Sequence, residues 1–243
     1  MRLTGSALCA ALALAACSQA EEPADPAASE SPSSTTPADE PSDATPATQA
    51  ASGPLAPRDE CTSVEGLGEL QTKLKKAVAA RDADALMALV DKNVQLDFGG
   101  GSGQAELHKR LTSPDYLLWD EIEQALALGC GFDKSADGNN YATWPWYFSK
   151  DVIPLDPFEA MIVTGGNVPL RDGASATAKQ IGTVSWDYVQ LKEYSEDPYL
   201  PVVTSDGKAG FMDAKKLRSL VDYRIMADKI DGKWKVTTII AGD

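Results

Sequence analysis

Ser102 and His108 are the residues with which chemistry would begin. His108 is the single histidine of the chain and follows the run Gly99-Gly100-Gly101-Ser102-Gly103. Serine beside histidine is the pairing used for nucleophilic acyl transfer, provided a third group orients the base. The sequence positions no such third group. The glycine run also lacks the Gly-Lys-Ser/Thr ending of a P-loop and the spacing of a dinucleotide fingerprint. Gln104 stands where a Gly-x-Ser-x-Gly elbow needs its last glycine. A tight turn from strand to helix accounts for the run. The alternative is a hydrolase or small-ligand-binding protein with its cleft at Gly99–Gly103 and His108, where turn amides at a helix start would cradle an anion.

Asp120, Glu121 and Glu123 are the next candidates. Two carboxylates facing each other across a cleft would suit glycoside hydrolysis. Neighbours on one helix point in different directions, so first-turn acids complementing the helix dipole explain these better. Cofactor and metal signatures are missing from the sequence. Residues 141–148 gather Tyr141, Trp144, Trp146, Tyr147 and Phe148. Such aromatics either line a groove for sugar rings or proline-rich peptides or join two subdomains, and the second role is favoured. With Arg171, Trp186 and Tyr199, the residues Trp144, Trp146 and Tyr147 form the candidate ligand-binding set. Arg171 would hold a carboxylate bidentately or pair with Asp172.

The elements that must position these residues begin after a long amino-terminal stretch. Met1 to Ala16 carries Arg2 and then the apolar run ALCAALALAA. It is too short to span a bilayer and reads as a secretory signal peptide. It ends Leu14-Ala15-Ala16-Cys17, which resembles a bacterial lipobox. The resemblance implies cleavage before Cys17 and acylation of Cys17, for instance by palmitate. Cys9 would then be lost with the signal. Ser18, in place of Asp, resembles the sorting residue of outer-membrane lipoproteins. The implied location is the cell envelope, anchored by lipid to the periplasmic face of the outer membrane.

Residues 17–58 are a Pro/Ala/Ser/Thr/acidic tether without an aromatic residue, unable to bury enough apolar surface to fold. Forty such residues would reach on the order of 120 Å when stretched. The net charge is −14: Arg2 adds +1, residues 18–60 carry −8 and residues 61–243 carry −7. That balance argues against nucleic acid, whose phosphates need clustered Lys and Arg. Cys61 and Cys130 remain in the mature chain. In an oxidising compartment an even pair reads as a disulfide.

Between residues 59 and 150 the pattern is mostly helical. Leu67, Leu70, Leu74, Ala77 and Val78 follow helical spacing, with Lys73, Lys75 and Lys76 on the solvent side. Asp82 and Asp84 open a second helix over residues 85–90. Asn93 to Phe98 alternates, with Val94, Leu96 and Phe98 on one face of a strand. Helices to Leu111 and from Asp120 to about Leu128 follow. Asp84-Ala85-Leu86, Val94-x-Leu96-x-Phe98 and the closing Gly232-Lys233-Trp234-Lys235-Val236 resemble the nuclear transport factor 2-like fold over about a quarter of the chain.

Residues 151–220 change to short β runs with turn residues every 8–12 positions. Val168, Leu170, Ile181, Val184, Val189, Leu191, Val203 and Phe211 supply an alternating interior, and Asp206-Gly207 marks a tight hairpin. The Arg171-led strand, Gln180-Ile181-Gly182-Thr183-Val184, Ser205-Asp206-Gly207-Lys208 and Gly210-Phe211 resemble a bacterial SH3 domain. Two positions depart from that family. Tyr199-Leu200-Pro201-Val202 replaces its Trp-x-x-Val strand, and Ala174 replaces a loop proline. Residues 221–243 form a hairpin through Asp231-Gly232, either extending the barrel or pairing with the strand at 93–98. The fold expected is α+β: a helical subdomain with a short strand, an SH3-like β-barrel, and a C-terminal hairpin. The function expected is a non-catalytic envelope lipoprotein binding cell-wall peptide (peptidoglycan) or an envelope protein through the SH3-like domain.

Overall fold

The computed structural model describes residues 51–242; the signal segment, Cys17 and the tether as far as residue 50 lie outside the described residues. β1 (Arg58–Asp59) leads into α1 (Leu67–Ala79), which buries Leu67, Leu70, Gln71, Leu74, Ala77 and Val78. Lys73, Lys75 and Lys76 stay exposed on its other side. α2 (Ala83–Met87) starts where the Asp82 carboxylate accepts the Ala85 N–H at 2.9 Å. β2 spans Val90–Gln95, α3 Gln104–Thr112 and α4 Leu118–Ala127.

The strand expected at 93–98 therefore lies earlier. Val94 and Leu96 are buried as the alternation requires, but Phe98 is 56% exposed. The strand stops because the Asp97 carboxylate turns back to accept the amides of Gly99 and Gly101, at 2.8 and 2.7 Å.

β3 (Gly129–Lys134) and β4 (Asn140–Trp144) follow, and β4 ends where Pro145 has no N–H to donate. A single 3₁₀ turn covers Trp146–Ser149. The β-rich stretch then supplies β5 (Ala160–Val163), β6 (Val168–Arg171), β7 (Gln180–Val184), β8 (Tyr188–Leu191), β9 (Tyr199–Thr204), β10 (Ala209–Asp213) and β11 (Leu217–Ser219). β12 (Arg224–Ile230) and β13 (Lys233–Ile240) close the chain.

Two sheets result. The first runs β1-β3-β4-β12-β13-β2 and the second β11-β5-β8-β9-β10-β6-β7. The register answers the question left open for the hairpin. β12 pairs antiparallel with β4, placing Ile225 opposite Trp144, and β13 pairs parallel with β2, placing Val236 opposite Val90. The hairpin thus belongs to the sheet of the helical half, and residues 145–223 are looped out between two hydrogen-bonded neighbours. The second sheet is an open ladder ending at β11 and β7, so the closed barrel expected from sequence is not formed. β6 touches β10 at a single pair, Phe211 with Arg171, and there the ladder diverges.

The inward face of β9 also differs from the expected one. Leu200, Val202 and Thr204 point in and Val203 points out, and on β10 Met212 is buried in place of Phe211. A shift of one residue exchanges the faces of a strand. Thr204 has a reason to turn inward, because its hydroxyl meets Asp206 and the Lys208 amide and carbonyl within the β9–β10 turn.

One core fills the space between the helices and the first sheet, and it includes Trp144, Leu107, Ile122, Leu74 and Val236. Trp144 Nε1 donates to Gln71 Oε1 at 3.2 Å, and Gln71 Nε2 donates onward to Asp59, so these buried polar atoms are partnered. A second cluster joins Leu55, Leu128, Trp146 and Tyr147 to Ile153, Ala160 and Ile162 of the inserted stretch. A third fills the concave side of the second sheet.

The tether was expected to run to residue 58, but the chain is packed from Leu55. Leu55 is 2% exposed and its N–H reaches the Trp186 carbonyl at 2.7 Å. Arg58 lies 3.6 Å over the Trp146 ring. Gly129 lets β1 come this close: a Cβ there would stand 2.1 Å from the Arg58 carbonyl oxygen, at φ +88°.

The Cys61–Cys130 disulfide is present, with Cα atoms 5.8 Å apart and a sequence separation of 69. Closing a loop of that size stabilises by roughly 4 kcal/mol on the chain-entropy model. Cys61→Ser with Cys130→Ser is expected to lose about that much in urea titration of the full chain. An unchanged midpoint would contradict the assignment.

Candidate functional site

The six candidate ligand-binding residues do not form one groove: Trp146, Tyr147 and Trp186 meet in the second apolar cluster, Trp144 lies in the first, and Arg171 and Tyr199 lie on the second sheet. Trp144, Trp146 and Tyr147 are 0, 2 and 2% exposed, so they are core side chains and not a ligand groove. Their burial follows from the topology, since Trp144 ends a central strand and the 3₁₀ turn after it lies under the seam between the sheets. Arg171 on β6 donates Nη1 to the Ala178 carbonyl at 2.8 Å, closing its own hairpin loop. Trp186 and Tyr199 are half-buried. Trp186 holds φ 44° and uses its carbonyl on Leu55.

The glycine turn is closed by its own side chains. Besides the two turn amides, Asp97 receives Arg110 Nη2 at 2.5 Å, and Arg110 also donates to Glu106 Oε1 at 2.9 Å and to the Leu96 carbonyl at 3.1 Å. The Arg110 hydrogen bond holds the Asp97 carboxyl below the usual carboxylate range. The amides that would cradle an anion are thus occupied by a resident carboxylate. Ser102 and His108 both sit in exposed positions. Among the described residues no group of three or more His, Cys, Asp or Glu is placed to hold a metal ion.

One groove among the described residues lies between α1 and α4, with a volume of about 440 Å³. Its floor is Val78, Ala79, Leu126 and Ala127, and its rim carries Lys75, Arg58, Glu123 and Asp59. Asp59 is fixed. Partial burial raises its pKa, but hydrogen bonds from Gln71 and from the Cys61 and Thr62 amides outweigh that and keep it below the ordinary value. Arg58 is fixed too, by Trp146 and by the Pro54 carbonyl at 2.9 Å. Lys75 and Glu123 project from facing helices with exposed side chains. Sequence reasoning placed Lys75 on a solvent face and Glu123 among first-turn acids, and had no signal that two helices would bring them to one groove.

A second polar cluster lies at the seam. Arg218 is 6% exposed, with Nη2 on the Tyr223 carbonyl at 2.7 Å and Nη1 in an ion pair 3.2 Å from Asp222 Oδ2. Tyr147 Oη is buried beside the Arg218 guanidinium without a hydrogen bond of good geometry, and burial drives its phenol pKa far up, against the pull of Arg218. Glu121 faces this cluster from α4. Burial and then the Asp222 charge raise its pKa, against the pull of Arg218.

No protein-family model matches the chain, and no curated protein matches it. Solved structures with partial likeness include an NTF2-like protein of unknown function from Shewanella oneidensis MR-1, at 13% identity and a TM-score of 0.26 over 73% of this chain and 97% of that one. Another is an NTF2-like protein with a cystatin-like fold from Novosphingobium aromaticivorans, at 10% identity and a TM-score of 0.27 over 72% and 78%. Their names match the resemblance read from residues 84–98 and 232–236. Likeness at this level carries no argument about ligand or activity.

Glu121 gives a pH signature. Its native pKa is raised, so the ionised form is disfavoured in the folded chain. The contribution is fully present below the ordinary Glu pKa and is lost as pH rises through the native value. Glu121→Gln is therefore expected to raise the thermal midpoint at neutral pH and leave it unchanged at acid pH, where Glu121 is protonated in both states. Equal shifts at both pH values would exclude the burial effect.

Proposed function

We propose that this chain is a non-catalytic binding protein of the bacterial envelope, anchored through a lipid on Cys17, that holds a short cell-wall peptide in the α1–α4 groove. The groove is the observation that carries the reading. Its volume falls within the range of about 300–1,000 Å³ used by small-ligand sites, and it combines an apolar floor with a few convergent polar groups. A stem peptide of peptidoglycan carries both amine and carboxylate groups, and Glu123 and Lys75 offer the complementary pair. The small-ligand reading is thus retained, with its cleft moved from Gly99–Gly103 and His108 to the helices. Residues 160–219 are read as an SH3-like module on their strand order and their Asp206-Gly207 turn. The helices with β1–β4, β12 and β13 are read as an NTF2-like unit.

The test is sedimentation of the full chain with purified peptidoglycan sacculi. Ala127 is exposed at the end of α4, so Ala127→Trp fills the groove without disturbing the core. Retention by the sacculi is expected, with at least a tenfold loss in Ala127→Trp, equivalent to about 1.4 kcal/mol. Retention unchanged by that substitution would remove the groove from the function. Release of soluble fragments would make the protein a hydrolase.

A further inference from the structure

β7 ends the second sheet, and its register with β6 fixes the direction of its backbone groups. Val168 stands opposite Val184, Pro169 opposite Thr183 and Leu170 opposite Gly182. In an antiparallel pair, opposed residues alternate between exchanging both hydrogen bonds and exchanging neither. Pro169 has no N–H, so the pair with Thr183 is the one that exchanges neither. The N–H and C=O of Thr183 therefore point away from β6, at the free edge of the sheet. The Ile181 carbonyl is already reached by Lys208 Nζ from the β9–β10 turn.

A groove of about 380 Å³ runs along this edge. Four consecutive residues, Gly182 to Ser185, line it. Buried Leu170 and the Lys208 side chain complete the lining, so the groove reaches from the edge of β7 inward over Gly182. The opposite wall is Thr204, Ser205 and Asp206 of the β9–β10 turn, with Asp187 at one end. Ser205 Oγ donates to Asp187 at 2.6 Å, and the Thr204 hydroxyl bonds Asp206. Two carboxylates thus face one ammonium, Lys208, and that ammonium is engaged with a backbone carbonyl.

We propose that the free edge of β7 is a strand-addition site for an extended, lysine-containing segment of a partner protein. The added segment pairs its backbone with the N–H and C=O of Thr183. Its next N–H takes the Ile181 carbonyl from Lys208, which acts as a latch over an otherwise open edge. A lysine of the segment then meets Asp187 and Asp206. A second copy of this chain is the wrong occupant, because each copy brings a net charge of −14. This site is separate from the α1–α4 groove and does not depend on it.

The test titrates synthetic peptides of alternating lysine and alanine into the full chain, following backbone amide resonances. Two further peptides carry N-methyl groups on alternate residues, one set on the pairing edge and one on the other. The expected result is a shift of the Thr183 amide with the parent peptide, loss of the shift when the pairing edge is methylated, and retention when the other edge is methylated. Lys208→Ala is expected to tighten binding several-fold by removing the competitor for the Ile181 carbonyl. Equal behaviour of the two methylated peptides overturns the proposal. So does absence of any shift up to the solubility of the parent peptide, and so does self-association of Lys208→Ala without peptide binding, which would make Lys208 an edge guard only. Ala127→Trp leaves this binding unchanged, so failure here and failure of the α1–α4 groove are told apart.

Discussion

The pairing of β4 with β12 is the constraint from which the rest of the structure follows. Ile225 sits opposite Trp144 in the middle of the first sheet, so the stretch between them must leave and return at neighbouring points. That brings the 3₁₀ turn at Trp146–Ser149 against the segment Arg218–Tyr223. The apolar cluster of Leu55, Trp146, Tyr147, Ile153 and Ile162 fills the meeting place. Burying aromatics of this size contributes several kcal/mol each, enough to hold the inserted sheet in a fixed position against the helical half. Arg218 spans that seam, hydrogen-bonded to the Tyr223 carbonyl and ion-paired with Asp222, with Tyr147 Oη buried beside it.

The division of labour between the two halves has the same origin. The first sheet is covered by helices on one face, and its interior is filled by Trp144 and its neighbours. The apolar groove between the helices is lined by Val78 and Ala79 of α1 and by Leu126 and Ala127 of α4, next to Gly129. The second sheet has no helical cover. Its concave side is closed by its own Val163, Leu170, Val189 and Met212, and what remains accessible is its edge.

Local patterns were legible in the sequence wherever one period dominated. The apolar stripe of α1, the Asp82 cap, the Asp206-Gly207 turn and the cysteine pair were all readable from residue type and spacing. Phe98 was misread because alternation alone cannot register that Asp97 would capture the amides of Gly99 and Gly101. Val203 and Phe211 were misread for a similar reason: in a run apolar on both faces, Leu200-Pro201-Val202-Val203, only the turn chemistry of Thr204 sets the phase. The aromatic run at 141–148 carried two readings, and the choice between them lay in β12, some eighty positions away. The α1–α4 groove had no local signature, since Lys75 and Glu123 are ordinary exposed helix residues until two helices are packed.

The packing of Leu55 and Arg58 bears on how load enters the molecule. Any tension on the chain ahead of residue 55 is first met by the Leu55 pocket and the Arg58–Trp146 contact. It is then met by the two parallel ladder residues of β1 on β3. Only two positions further on, Cys61 is bonded covalently to Cys130 on the central side of the same ladder. Pulling can peel that short segment and expose one face of Trp146, but it stops at the disulfide and leaves α1 untouched. The amino-terminal edge therefore works as a strain relief, yielding over a few residues while the two sheets behind it keep their register.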